Sequence, residues 1–425
     1  MSEYCEIRRT YVKLGQFPMH VPCMLYEPLH PEEKSRIGIV LCHSDDDYIE
    51  FLPAMELAKR GYRVAATHVS KWSIPLDKKI GEVSVVVDYL KSYPGVDKVV
   101  LLGHSGGATL MSAYQSIAEN GVGIFQDANR IIGIDNIGRI TAADGVMLLD
   151  SNFGNGVMSL VSLDPAIVDE SSGMKRDPEL DLFNPVNGYG ENGCNYSEEF
   201  IRKFLKAQAE RMNRLIDFCQ DRVNLISQGK GNFADDEPLI IPGGTQFGPN
   251  NKLFPQMPKY FSQTKEPQNL LHQDGTVTKG IVPCLRKFHP GVNSAPIYDF
   301  GCLVTTVKTF LKSSAVRVDP EQYRYDESHI YGIDWDSSYC VTVGNAENIS
   351  VPMLLMGMTG SYEYIAAEHI YHHADKAADK TLTFVEGAGH NFTTAPEAEE
   401  YPGQLGDSSK ACFDYVAQWL AEKFI

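Results

Sequence analysis

Over the first 150 residues, short apolar runs rich in β-branched side chains alternate with stretches whose apolar positions recur every three or four residues. A short apolar run suits a strand covered on both faces, and a recurrence near 3.6 residues suits a helix with one apolar stripe. Glu6–Leu14 and His20–Tyr26 read as paired strands, with Gly15 and Pro18 as turn residues. Ile37–Cys42 is a continuous apolar run; Phe51, Met55, Leu57 and Ala58 then give a helical stripe that stops at Gly61. Tyr62–Val69 reads as strand, Ile80–Leu90 as helix, and Pro94 with Gly95 as a break. Val99–Leu102 and Gly145–Leu149 are two further buried strands, with a helix expected from Gly106 onward between them.

The alternation lapses between Ser151 and about Gly344. One strong helix is expected there, from Tyr196 to about Leu225, with Asn195 and Glu198 spaced as a capping box. Around it lie Gly/Pro/Asn-rich loops such as Ile241–Asn251 and many aromatics: Phe247, Phe254, Tyr260, Phe261, Tyr298, Phe300, Tyr323, Tyr325, Tyr331 and Trp335. Several of these are expected to line an apolar substrate cavity. Alternation returns with a strand at Val351–Met356, a helix from about Glu363 to Ala377, a strand at Thr381–Val385 and a closing helix striped by Cys412, Phe413, Val416 and Leu420. Strands alternating with helices predict an α/β fold, a mostly parallel, doubly wound sheet. Residues 1–150 and 345–425 would form the core, with 151–344 inserted as a cap.

Composition narrows the function classes. With 38 Lys+Arg against 55 Asp+Glu, the net charge of −17 disfavours a nucleic-acid or anionic-membrane partner. No apolar segment is long enough to span a bilayer and the first residues lack a signal-peptide run, so a cytoplasmic protein is expected. The nine cysteines are scattered without C-x-x-C spacing, which favours reduced thiols. A small-molecule substrate is the expected partner, and a homodimer stays open as the assembly.

The sharpest chemistry lies in Gly103–Gly107, a turn between the Val99–Leu102 strand and the following helix. Glycines two before and two after Ser105 leave room for strand and helix to cross closely, as a serine nucleophile on a strained turn requires. A serine hydroxyl needs a base, and a base needs an orienting group. His390 stands out among the 12 histidines because Gly387 and Gly389 precede it in a loop after the last strand.

A strand–G-x-S-x-G–helix unit, an earlier strand ending at His43–Ser44 and a late Gly-Ala-Gly-His together resemble the α/β-hydrolase superfamily, over about residues 5–150 and 345–425. The resemblance implies a cap inserted after the sixth strand and the chain order Ser, acid, His. It places the acid after the penultimate strand, where no aspartate stands. Glu363 is the preferred acid, Asp150 at the end of the preceding strand is the alternative, and Glu368 is a weaker third. The implied oxyanion hole uses the Gly106 N–H with one from the Ser44–Asp45 turn. Asp45, Asp46 and Asp47 are expected to cap a helix beginning near Tyr48, or else to select a cationic substrate.

His369 and His373 share a helix face, but no third ligand is evident and no metal is expected. No P-loop or Rossmann fingerprint occurs, so no cofactor is expected. A dehalogenase or epoxide hydrolase would carry an aspartate at the elbow. The expected function is a serine hydrolase cleaving a carboxylic ester or lactone of a mid-sized apolar or aromatic molecule through an acyl-enzyme. The same residues would also serve a C–C bond hydrolase or acyltransferase, and the unclear acid leaves room for a ligand receptor or scaffold with little turnover.

Overall fold

The computed structural model describes residues 4–15, 20–70, 74–135, 137–246, 250–291 and 301–425. Its strands are β1 (Ile7–Leu14), β2 (Val21–Pro28), β3 (Ile37–Cys42), β4 (Arg63–Thr67), β5 (Lys98–Ser105), β6 (Gly145–Ser151), β7 (Pro238–Pro242), β8 (Gln268–Leu271), β9 (Val277–Gly280), β10 (Cys302–Thr306), β11 (Arg324–Tyr325), β12 (Ile330–Tyr331), β13 (Met353–Met358) and β14 (Lys380–Val385). Ten of them form one sheet in the order β1-β2-β4-β3-β5-β6-β13-β14-β8-β9. Pairing is parallel from β4 through β8 and antiparallel only at the two ends. With helices on both faces, this is the α/β-hydrolase fold that the sequence resembles.

Period-2 alternation divides the strand side chains between two cores. Val40, Leu101, Val146, Leu148 and Leu355 pack with Val83 and Val87 of helix Leu76–Lys91 and Leu110 and Met111 of helix Gly106–Asn120. Ile39, Leu41, Val100, Leu102, Met147 and Leu149 face the opposite way, onto Ala54 and Leu57 of helix Leu52–Lys59 and Phe413, Val416 and Leu420 of helix Ser408–Phe424. β3 has β4 on one side and β5 on the other, so the crossovers diverge there. A crevice opens at such a switch point beyond the carboxyl ends of the strands.

The inserted segment differs from expectation in three ways. Its long helix runs Glu198–Ser227 and is capped by Ser197, whose Oγ accepts from the Phe200 N–H at 3.1 Å; Asn195 is not the cap. Residues 151–344 do not stay apart from the sheet, because β8 joins the outer edge of β14 and β9 returns beside it. These four-residue strands carry one buried residue between them, Leu271, too little apolar pattern to be legible, yet they cover an edge that β14 would otherwise leave open. The aromatics pack on one another: Phe254, Phe261, Tyr260 and Tyr323 all have ring contacts with Tyr325. Pro18, Phe247, Tyr298 and Phe300 lie outside the described residues.

All nine cysteines are free thiols. Among the described residues no helix is long and apolar enough to cross a membrane.

Candidate active site

β5 delivers Ser105 to the crevice with φ 53° and ψ −127°, a backbone conformation that costs a non-glycine residue about 1–3 kcal/mol. Glycine is required on both sides. A Cβ on Gly103 would lie 2.7 Å from the Ala108 Cα, and one on Gly107 would lie 2.3 Å from the Cys42 carbonyl oxygen of β3. The helix thus crosses its own strand and the neighbouring one too closely for any side chain. Gly107→Ala is expected to destabilise the fold by about 3 kcal/mol, since a backbone carbonyl cannot swing aside as a side chain does. Denaturant unfolding measures this, and a change below the experimental error would contradict the close crossing.

His390 comes in on the loop after β14. Its Nδ1 is hydrogen-bonded to Asp150 Oδ2 at 2.6 Å. Asp150 is fully buried at the end of β6, where the register with β5 skips it: Leu149 faces His104 and Ser151 faces Ser105. The skipped residue has φ 45°, a bulge that turns its carboxylate sideways. The other oxygen, Oδ1, accepts the Met358 N–H of β13 at 2.9 Å, so the carboxylate is fixed between two strands.

The bond expected of Glu363 is therefore made by Asp150. Glu363 Oε2 lies 4.0 Å from His390 Nδ1, beyond hydrogen-bond reach, and 3.5 Å from Ser105 Oγ. No hydrogen bond joins Ser105 to His390; the hydroxyl points at Glu363. Glu368, the third choice, is remote in role: it accepts the Lys265 and Glu266 N–H groups and the Gln268 amide, tying down the segment before β8.

Burial works against a charged His390, but Glu363 first and then Asp150 outweigh it, and the pKa is held up at about 9. Burial also pushes the Glu363 carboxyl above the usual range, although His390 pulls it back. His104, between Gly103 and Ser105, stays neutral because it is buried. Its Nδ1 meets the Tyr48 hydroxyl at 2.6 Å and its Nε2 meets the His390 carbonyl at 2.7 Å. His104 therefore fastens the His390 loop to the elbow, a task for which the sequence carries no signal beyond its place in the turn.

On the facing turn, the expectation for Asp45 changes. Its N–H and that of Asp46 both donate to His43 Nδ1, at 3.0 and 2.9 Å, so the Asp45 N–H is already occupied. The Gly106 N–H opens its helix and has no intrahelical acceptor. Ser44 Oγ sits 2.7 Å from where a Gly106 Cβ would be, so the two turns abut. The three aspartates cap no helix: the next one starts at Leu52, after Phe51. Asp45 instead pairs with buried Lys79 at 2.6 Å and accepts from Ser44 Oγ, while Lys79 also holds the Ser44 carbonyl. Burial opposes the Asp45 charge, but Lys79 outweighs it and holds the pKa below the usual value. Asp47 accepts the Ile49 N–H within the turn.

A cavity of about 560 Å³ connects these groups, and its wall is polar. His43, Ser44, Asp45, Asp46, Ser105, Asn152, Asn155, Gln246, Glu363, His390 and Asn391 line it, with Tyr48, Met158 and Tyr362 as the larger apolar surfaces. None of the described aromatics expected to line the substrate cavity reaches this one; Tyr260, Tyr323 and Tyr325 line a separate cavity of about 740 Å³ beside the long helix, and the others pack on neighbouring rings. Asn152, Asn155, Met158 and Gln246 reach the cavity from that segment and were not legible as site residues. His369 and His373 lie elsewhere, with His369 Nε2 and His373 Nδ1 turned to backbone carbonyls.

No family model and no curated protein matches the sequence. Similar solved structures include Est1E from Butyrivibrio proteoclasticus, at 12% identity, covering 98% of each chain, with a TM-score of 0.39. A brefeldin A esterase described as a bacterial homologue of human hormone sensitive lipase is 10% identical; the match covers 99% of this chain and 78% of that one, with a TM-score of 0.44. The α/β hydrolase GrgF from Penicillium sp. sh18 is 11% identical over 98% of this chain and 99% of its own, with a TM-score of 0.43.

Proposed function

We propose that this chain is a serine hydrolase that cleaves carboxylic esters or lactones through an acyl-enzyme. The observation that carries the reading is Ser105, held at positive φ in the same cavity as a histidine whose far nitrogen is fixed by a buried carboxylate. With Nδ1–H directed at Asp150, His390 offers Nε2 to the cavity as the base. Ser105 Oγ turns away from Glu363, gives its proton to Nε2 and attacks the carbonyl. The developing oxyanion is taken by the Gly106 N–H and by the Ser44 N–H, since that of Asp45 is engaged. The imidazolium then returns its proton to the leaving oxygen, and water repeats the sequence on the acyl-enzyme.

The polar wall favours small esters rich in hydrogen-bonding groups over apolar or aromatic ones. Turnover is favoured over a receptor role by Asp150, which at 2.6 Å from His390 can orient it as a base.

Turnover requires neutral His390, so kcat/KM is expected to rise about tenfold per pH unit up to a limb near pH 9. Glu363→Gln removes one of the two carboxylate charges that favour the imidazolium and should move this limb to lower pH. A pH–rate profile of ester hydrolysis tests both statements. Flat activity from pH 6 to 10, or no hydrolysis across a panel of short-chain esters and lactones, would contradict the reading.

A further inference from the structure

The cavity contains a carboxylate that the hydrolytic steps above do not use. Glu363 stands at the position where the resemblance led us to expect the triad acid, but Asp150 occupies that role's hydrogen bond. Glu363 is buried, lines the cavity and, among the described residues, receives no side-chain hydrogen bond except a long one from Ser105. Leaving such a group without a donor costs free energy, and a ligand can supply the donor.

The surroundings define that ligand. Asp46 also lines the cavity, and its carboxylate accepts only the Asp47 N–H. Among the described lining residues there is no lysine or arginine; His390 is the one cationic group. Lys79 approaches the oxyanion turn from behind but is consumed by Asp45 and the Ser44 carbonyl. The wall beside the nucleophile thus carries the carboxylates of Glu363 and Asp46, whose charge is offset in part by His390 and by buried Lys252, which donates to the Gln246 carbonyl.

We propose that Glu363 is a specificity residue that binds an ammonium group carried next to the scissile carbonyl, making α-amino acid esters the preferred substrate class. This rests on Ser105 being the nucleophile. Distance fixes the position of the group. With Oε2 3.5 Å from Oγ, a carbonyl carbon under attack by Oγ leaves its α-substituent within hydrogen-bond reach of the carboxylate. An amine farther along the acyl chain would extend past Glu363. A charge-assisted bond there also draws the carboxylate off Ser105, freeing the hydroxyl to turn toward His390. A neutral ester lacks this lever and must compete with the resting contact.

Ethyl alaninate and ethyl isobutyrate make a matched pair, since they differ only by an ammonium in place of a methyl group. At pH 7 the amine is predominantly protonated. The wild-type enzyme should hydrolyse the alaninate with kcat/KM at least tenfold higher, measured by ethanol release, once each value is divided by that ester's rate constant with hydroxide, since the ammonium group activates the carbonyl by itself. Glu363→Gln should lower the alaninate value at least tenfold more than the isobutyrate value. Equal normalised values for the two esters in the wild type, or equal losses in the variant, would overturn the inference. The wild-type ratio decides the matter by itself if the variant does not fold. Hydrolysis of neither ester while a fluorophosphonate still labels Ser105 overturns this inference and leaves the nucleophile in place. Loss of labelling as well would overturn the hydrolase reading on which it stands.

Discussion

Ser105→Ala is expected to abolish turnover and covalent labelling while the protein stays folded. Alanine removes the only oxygen at the tip of the elbow and keeps a Cβ that the site already accommodates, so nothing in the helix crossing is disturbed. The expected loss is at least about 10⁵-fold in kcat, because nucleophile and base act as a unit. His390→Ala should fall to a similar level, and the double variant no further. Circular dichroism together with ester hydrolysis checks both halves of the statement. Full activity in a folded Ser105→Ala protein would remove the elbow from the chemistry altogether.

Asp150→Asn carries the second largest effect, a loss of about ten-thousand-fold in kcat with the fold retained. The amide can still accept the Met358 N–H, so the tie from the β6 bulge to β13 survives. It presents an NH2 group to His390 Nδ1 as readily as an oxygen, and the imidazole then offers the wrong tautomer to Ser105. Glu363→Gln makes the contrasting case. No hydrogen bond to His390 is lost, because Glu363 stands 4.0 Å away, so the cost measured with ethyl isobutyrate should be orders of magnitude smaller. If the two variants exchanged these effects, Glu363 would be the orienting acid.

The acid shows where sequence reasoning reaches its limit. Ser105 and His390 are legible because each sits among glycines whose spacing answers a local steric demand, and the elbow glycines do meet backbone at 2.3 and 2.7 Å. Asp150 answers no local demand. Its role comes from a register skip against β5 and from the Met358 N–H of a strand about two hundred residues later, and neither leaves a mark near position 150. Alternating strands and helices were legible for the same local reason, whereas β8 and β9 were not, since edge strands of four residues bury almost nothing. Aromatic side chains in the insertion misled in the opposite sense: frequency alone cannot distinguish rings that pack around Tyr325 from rings that reach the cavity at Ser105. The described polar wall is assembled from six separate segments, of which only His43–Asp46 contributes a run of more than two adjacent residues, so no one stretch of sequence displays it. Lys79, the buried counter-charge of Asp45, looks from sequence like any solvated helix lysine.

The most direct measurement is to treat the wild-type protein with a fluorophosphonate, digest it and locate the adduct by mass spectrometry. The account predicts one stoichiometric adduct on Ser105, formed faster as pH rises toward 9 and suppressed in His390→Ala. No adduct, or one on a residue outside this cavity, would contradict it.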